Sequence, residues 1–170
     1  EQSVQLTQLY RELHHRIERE LRRARIAGAP GPGRQFVPRE EIPHLVRLFE
    51  RIGSADIEFH AGLPEGPIPF DRDDMLELLG NLLDNAWRHA ASQVRLNIQP
   101  PANDADQWCL SVEDDGSGVS DDNMRLLAAR GLRIDEARGE GSGLGLSICQ
   151  AIAESYDGRL EFDHAAMGGL

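Results

Sequence analysis

The sequence predicts an α+β domain, a two-layer sandwich whose mixed, mostly antiparallel sheet packs on helices. Three observations predict it. Apolar residues recur at helical spacing over 38–52, 74–91 and 144–156. They alternate with polar residues over 93–99 and 108–113, the mark of strands with one packed and one exposed face. These strands follow one another with no crossover helix between them, which argues against a doubly wound sheet.

The chain has 170 residues, of which 40% are hydrophobic, enough for one globular domain with a real core. Its formal charge of −11 gives a nucleic-acid partner no electrostatic support. All 18 basic residues are Arg. The absence of Lys excludes a Walker-A phosphate loop and a lysine nucleophile or base. Cys109 and Cys149 have no Cys or His at ligand spacing and read as small buried hydrophobes of a reducing compartment. No run approaches the ~18 apolar residues of a membrane span, and no signal peptide is visible. The first residue is not Met and the last are Gly168-Gly169-Leu170, so the chain reads as a piece of a longer protein.

Residues 3–27 read as a helix with a narrow apolar stripe of Leu6, Leu9, Leu13, Ile17 and Leu21 between charged flanks, more like a bundle helix than a core helix. The Gly- and Pro-rich 28–33 ends it and marks a domain boundary. We therefore divide the chain into an incomplete helical piece over 1–28, a linker over 29–35 and a domain over 36–170. In the domain, 38–52 is a helix with Ile42, Leu45, Val46, Leu48, Phe49 and Ile52 inward. Residues 57–60 form a short strand and 62–69, with three prolines, a connection. Residues 94–98 and 108–112 pair as a hairpin. Residues 118–145 hold six glycines and form a long irregular segment of the kind that usually carries function. Residues 144–156 form a helix stopped near Gly158, and Leu160–Phe162 begins a last strand.

Three stretches carry chemistry. The first is the helix of 74–91. At about 100° per residue, Glu77, Asn85 and Arg88 lie within about 40° of Asn81. Met75, Leu76, Leu79, Leu82, Leu83, Ala86, Trp87 and Ala90 take the opposite side. Asn competes for backbone hydrogen bonds and forms helix poorly, so two of them one turn apart suggest a ligand rather than a solvated face. The second is Asp114-Asp-Gly-Ser-Gly118. Asp114 continues the buried parity of Trp108, Leu110 and Val112, so it needs a donor such as the amine of an aromatic ring. Gly116 and Gly118 let the backbone turn and a ligand approach. Read alone, this stretch is more readily a turn at a strand end. The third is Gly139-Glu-Gly-Ser-Gly-Leu-Gly145, where glycines run into a helix N-terminus and free amides can cradle phosphate. Its spacing is not that of the dinucleotide fingerprint.

In this order the three stretches resemble the N, G1 and G2 boxes of the ATP-binding domain of sensor histidine kinases, within the gyrase–chaperone–kinase ATPase superfamily and its Bergerat fold. The resemblance covers roughly 36–170, and its wording is similar to kinases of the PhoQ type. It implies ATP and Mg²⁺ as ligands, with Asn85 on the metal and Asn81 beside the phosphates. Arg88 stands where the family usually has Lys and could clamp phosphate. Asp114 would take the adenine amine, with Gly116 and Gly118 shaping the pocket. Gly141, Gly143, Leu144 and Gly145 would form the lid over the phosphates, and Arg130 is the lid arginine best placed to reach the γ-phosphate. For Arg133 and Arg138 solvated charge is the favoured reading. Asn81, Arg88 and Arg130 are the implied catalytic residues.

Two departures stand out. The lid has Leu127-Ala-Ala-Arg130 where the family often has a Phe motif. No phosphoacceptor box is present, since His14 and His15 lack its flanking acid and Pro. Residues 3–27 look like the second helix of a dimerising hairpin, through which a second kinase chain would associate. A response regulator would be the downstream partner. The domain would be cytoplasmic and its parent set in the bacterial inner membrane. Related alternatives are an ATP hydrolase, an anti-sigma serine-kinase-type module and a nucleotide-binding regulator without transfer chemistry. A hydrolase would place Glu where this chain has Asn81, and a carboxamide cannot accept the proton.

Overall fold

The computed structural model describes residues 35–52, 56–103, 107–120, 124 and 144–170. The expectations for 1–28, for the linker up to residue 34, and for Arg130, Arg133, Arg138, Gly141 and Gly143 lie outside the described residues. The elements are β1 (Gln35–Phe36), α1 (Pro38–Ile52), β2 (Glu58–Gly62), β3 (Ile68–Asp71), α2 (Arg72–His89), β4 (Gln93–Gln99), β5 (Cys109–Asp114) and α3 (Leu144–Ser155). No described helix is long and apolar enough to cross a membrane.

The α+β class and the mixed sheet are as the sequence predicts. The sheet has the order β2-β4-β5, and β1 pairs separately with β3. Strands β4 and β5 form the expected antiparallel hairpin, with Val94 opposite Asp114 and Ile98 opposite Leu110. Strand β2 runs parallel to β4, Phe59 beside Val94, so a crossover containing β3 and α2 does join two strands. The expectation of no crossover holds for β4 and β5 but not for β2 and β4. Strand β3 is not legible in the sequence because it sits in a Pro- and Gly-rich stretch that reads as a connection. Pro69 is tolerated because β3 pairs in a two-stranded ribbon with open edges.

Helix α2 begins where the sequence supplies a cap. The Asp71 carboxylate accepts from the amides of Asp73 and Asp74 at 2.9 and 3.3 Å, filling two of the donors that a helix start leaves open. Its packed side is Met75, Leu78, Leu79, Leu83 and Ala86, which meets Phe36, Ile42, Ile68 and the β4 face of Val94, Leu96 and Ile98. Each such Leu, taken fully out of water, contributes roughly 1.5–3 kcal/mol. Leu78 stands about 60° from Asn81 yet is buried, because α3 covers that side; the Cys149 thiol lies 3.5 Å from the Leu78 carbonyl oxygen. Burial foremost, with the Glu77 charge second, pushes that thiol up to about 12. Cys149 is thus the small buried hydrophobe expected, whereas Cys109 is exposed on the open sheet face. Leu48 is likewise exposed, because it lies about 120° around α1 from Ile42.

Side-chain ties fix the helices. Arg72 of α2 donates to Glu41 of α1 at 3.0 Å. The Tyr156 hydroxyl donates to Asp74 at 2.8 Å and accepts from the Asp71 amide at 3.1 Å, joining the end of α3 to the start of α2. Phe70 meets the rings of Trp108 and Tyr156 edge-on, with centroids 6.0 and 5.0 Å away.

Helix α3 ends in a Schellman turn. The Gly158 amide donates to the Ala153 carbonyl at 2.9 Å and the Asp157 amide to the Glu154 carbonyl at 3.1 Å. The left-handed residue is Asp157, at φ 56°, so the glycine is one place beyond the position that would use it. Asp157→Gly is expected to stabilise the fold by about 1 kcal/mol, read as a shifted urea midpoint at unchanged slope. An unchanged or lower midpoint would count against the strain. The last predicted strand, Leu160–Phe162, does not form; these residues carry no ladder and line a cavity instead.

Candidate nucleotide-binding site

The site lies where α2, β5 and the segment after α3 converge. Asn81 and Asn85 are both half-buried on α2. The Asn81 amide donates back to the Glu77 carbonyl at 2.8 Å, which leaves its oxygen toward Gly145 at the start of α3. A Cβ on Gly145 would stand 2.8 Å from that oxygen, so Gly145 serves close packing against Asn81. Arg88 is exposed and pairs with Asp84 at 2.6 Å; it does not line the cavity.

Asp114 is 3% exposed, so the parity reading of β5 holds. Its carboxylate accepts from the Gly116 amide at 2.8 Å. Its backbone bonds with the last two residues, the Asp114 amide donating to the Leu170 carbonyl and the Gly169 amide to the Asp114 carbonyl, both at 3.1 Å. The glycines around it are there for space. A Cβ on Gly116 would stand 2.1 Å from the His89 carbonyl oxygen, and one on Gly169 would stand 2.1 Å from the Asp114 carboxylate. Gly118 adopts φ 65°, which suits Gly alone without cost.

A cavity of about 350 Å³ joins Asn85 to Asp114. Its other walls mix apolar side chains, among them Leu82, Leu110, Val112, Leu146 and Phe162, with polar ones, among them Ser111, Glu113, Glu161, Asp163 and His164. Leu82 is half-buried, packing against the core and also lining the cavity. The structure thus brings Asn85 and Asp114 to one cavity and Asn81 against Gly145, and it keeps Arg88 outside.

Sequence reasoning passed over Asp115. Its carboxylate accepts from the amides of Ala91, Ser92 and Gln93 at 2.8–2.9 Å and from the Ser92 hydroxyl at 2.6 Å. These bonds, the Ser92 hydroxyl's first, hold it well below the usual carboxylate range. Their stabilisation is full above the ordinary carboxyl value of 3.8 and is lost as pH falls below it toward the lowered folded value. The only sequence signal was the Asp-Asp doublet. Gly169 was equally hidden, although Gly168-Gly169 marked a turn.

Residues 70–169 match the family described as "Histidine kinase-, DNA gyrase B-, and HSP90-like ATPase". The chain belongs to this ATPase family. The match spans α2, β5 and α3, the three elements that build the cavity, and ATP binding comes with it. Among relatives within the family, the sensor protein kinase CarS of Pseudomonas aeruginosa is 40% identical over 98% of this chain and 38% of its own length. The two-component sensor PhoQ of the same organism is 40% identical over 62% of this chain and 23% of its own. The chain therefore spans well under half the length of these relatives. The mycobacterial sensor histidine kinase MprB superposes with a TM-score of 0.55 at 25% identity, over 69% of this chain and 76% of that one. The resemblance to PhoQ-type kinases read from the motif wording is met by PhoQ itself among the relatives, and the α+β fold is that of histidine kinase ATPase domains.

Proposed function

We propose that this chain is the catalytic domain of a two-component sensor histidine kinase. It binds ATP and Mg²⁺ and passes the γ-phosphoryl group to a histidine elsewhere in the parent, from which an aspartate of a response regulator takes it. The observation that carries this reading is the cavity with Asn85 on its wall and Asp114 on its floor, in a chain of the histidine kinase ATPase family. Residues 36–170 are the ATP-binding unit, on the cytoplasmic side of a membrane-anchored parent. Residues 1–28 belong to the helices that pair it with a second kinase chain.

Asp114 has one carboxylate site taken by Gly116 and others free for an adenine amine. The apolar part of the wall, Leu82 and Leu146 among it, would hold the ring. The Asn85 carboxamide oxygen suits a hard cation, and it would hold Mg²⁺ together with the phosphates. That ion supplies charge neutralisation, most of what phosphoryl transfer needs beyond positioning. Among the described residues no group of three His, Cys, Asp or Glu could hold a metal alone, which fits an ion that arrives with its nucleotide. Arg88 would have to leave Asp84 to reach phosphate. Asn81 disfavours the hydrolase reading, since it cannot take a proton from water.

The test is calorimetric titration with a non-hydrolysable ATP analogue. Mg²⁺ is expected to tighten binding at least about tenfold, and Asn85→Ala to remove that gain. Mg²⁺ without nucleotide should give no binding heat. A gain that survives Asn85→Ala would take the metal away from this residue. No binding by the folded wild type would withdraw the nucleotide reading.

A further inference from the structure

Asp114 and Asp115 are adjacent carboxylates with opposite surroundings. One faces the cavity. The other turns back to the reversal between α2 and β4. There it takes three consecutive backbone amides, those of Ala91, Ser92 and Gln93, and the Ser92 hydroxyl. Charge-assisted bonds of this kind are roughly twice as strong as neutral ones. The same reversal is tied again through the backbone, by the Asp115 amide on the Gln93 carbonyl at 3.2 Å and the Glu58 amide on the Ser92 carbonyl at 2.8 Å. The next residue, Gly116, lies against the His89 carbonyl at the last turn of α2, with no room for a Cβ. Two consecutive residues just after β5 therefore grip the end of α2 and the turn that follows it, one by hydrogen bonds and one by close contact. Asn85 is one helical turn before His89, and Asp114 is the residue just before the grip.

We propose that Asp115 is a positioning residue of the nucleotide site, fixing the spacing between the helix that carries Asn85 and the strand end that carries Asp114. The proposal rests on the nucleotide reading above. A nucleotide bound at both places reads that spacing. Adenine would meet Asp114 while the phosphates and their metal meet Asn85. Holding the two ends in place before binding removes an ordering cost that a loosened site must meet each time.

The experiment is titration of wild type, Asp115→Ala, Asp115→Asn and Ser92→Ala with the non-hydrolysable ATP analogue, each with and without Mg²⁺, far below each variant's melting temperature. Asp115→Ala is expected to weaken the Mg²⁺-loaded analogue about tenfold and to shrink the gain given by Mg²⁺ at least about threefold. Asp115→Asn, which keeps one acceptor oxygen, should recover part of both, and Ser92→Ala should show a smaller loss of both. The ratio of affinities with and without Mg²⁺ does not depend on the fraction folded, so a merely destabilising change leaves it at the wild-type value. Folded variants with wild-type affinity and a wild-type Mg²⁺ gain would overturn the proposal while leaving the nucleotide reading intact. If Asp115→Ala does not fold, the same criterion applies to the other two variants. A wild type that binds no analogue would overturn both readings together.

Discussion

Asp114→Asn is expected to weaken binding of an ATP analogue about 100-fold, the ~3 kcal/mol at the top of the range for a hydrogen bond to a charged group. The argument is one of donors and acceptors. The Asp114 carboxylate already accepts from the Gly116 amide at 2.8 Å and would accept from an adenine amine besides. A carboxamide has one acceptor oxygen for these two donors. If the oxygen keeps Gly116, the new NH₂ faces the amine, donor against donor. If it turns to the amine, the NH₂ faces the Gly116 N–H in a position that is 3% exposed. Neither rotamer offers each donor an oxygen of its own. Calorimetry on a variant whose circular dichroism matches wild type makes the measurement. An affinity within about threefold of wild type would place the adenine elsewhere.

Gly116→Ala is expected to cost about 1–3 kcal/mol of unfolding free energy, the usual range for forcing a methyl into a filled place, and to reduce nucleotide binding as well. Its Cβ would stand 2.1 Å from the His89 carbonyl oxygen and 2.8 Å from the Asp114 carboxylate. The first neighbour is backbone at the end of α2 and cannot rotate away. Relief must come from moving α2 or the turn, and either motion separates the helix of Asn85 from the carboxylate of Asp114. Urea unfolding and analogue titration on the same preparation check the two effects. A variant with wild-type stability would show that the turn yields without cost.

Much of the fold was legible because its cues are local. The alternation of Val94, Leu96 and Ile98 gave β4, and these side chains are 0%, 0% and 2% exposed. The same parity carries Asp114 into the interior, where it is 3% exposed. Asn81 and Asn85 stood out because Asn is costly in mid-helix. What stayed hidden depends on distant partners. Strand β3 pairs with Gln35–Phe36, and Pro69 breaks the alternation that would have revealed it. The Asp115 clamp draws on donors from residues 91–93, on another element, so the doublet itself reads only as a turn. Leu160–Phe162 has strand-like composition, yet its apolar side chains line the cavity beside β5 instead of joining the ladder.

The doublet at the end of β5 has one more consequence. Composition cannot tell Asp114 from Asp115, and a one-residue slip of the strand would put Asp115 in the place of Asp114 and Gly116 in the place of Asp115: a carboxylate would still face the cavity. Such a slip turns every side chain of the strand to the other side. It would bring Cys109, Ser111 and Glu113 inward in place of Leu110 and Val112. The apolar pattern opposes that, and the clamp opposes it again, because the three amides of residues 91–93 can be filled only by the second carboxylate when the first points inward. The frame of the strand is therefore specified twice, once by hydrophobicity and once by counted hydrogen bonds, at the one place where the sequence alone is ambiguous.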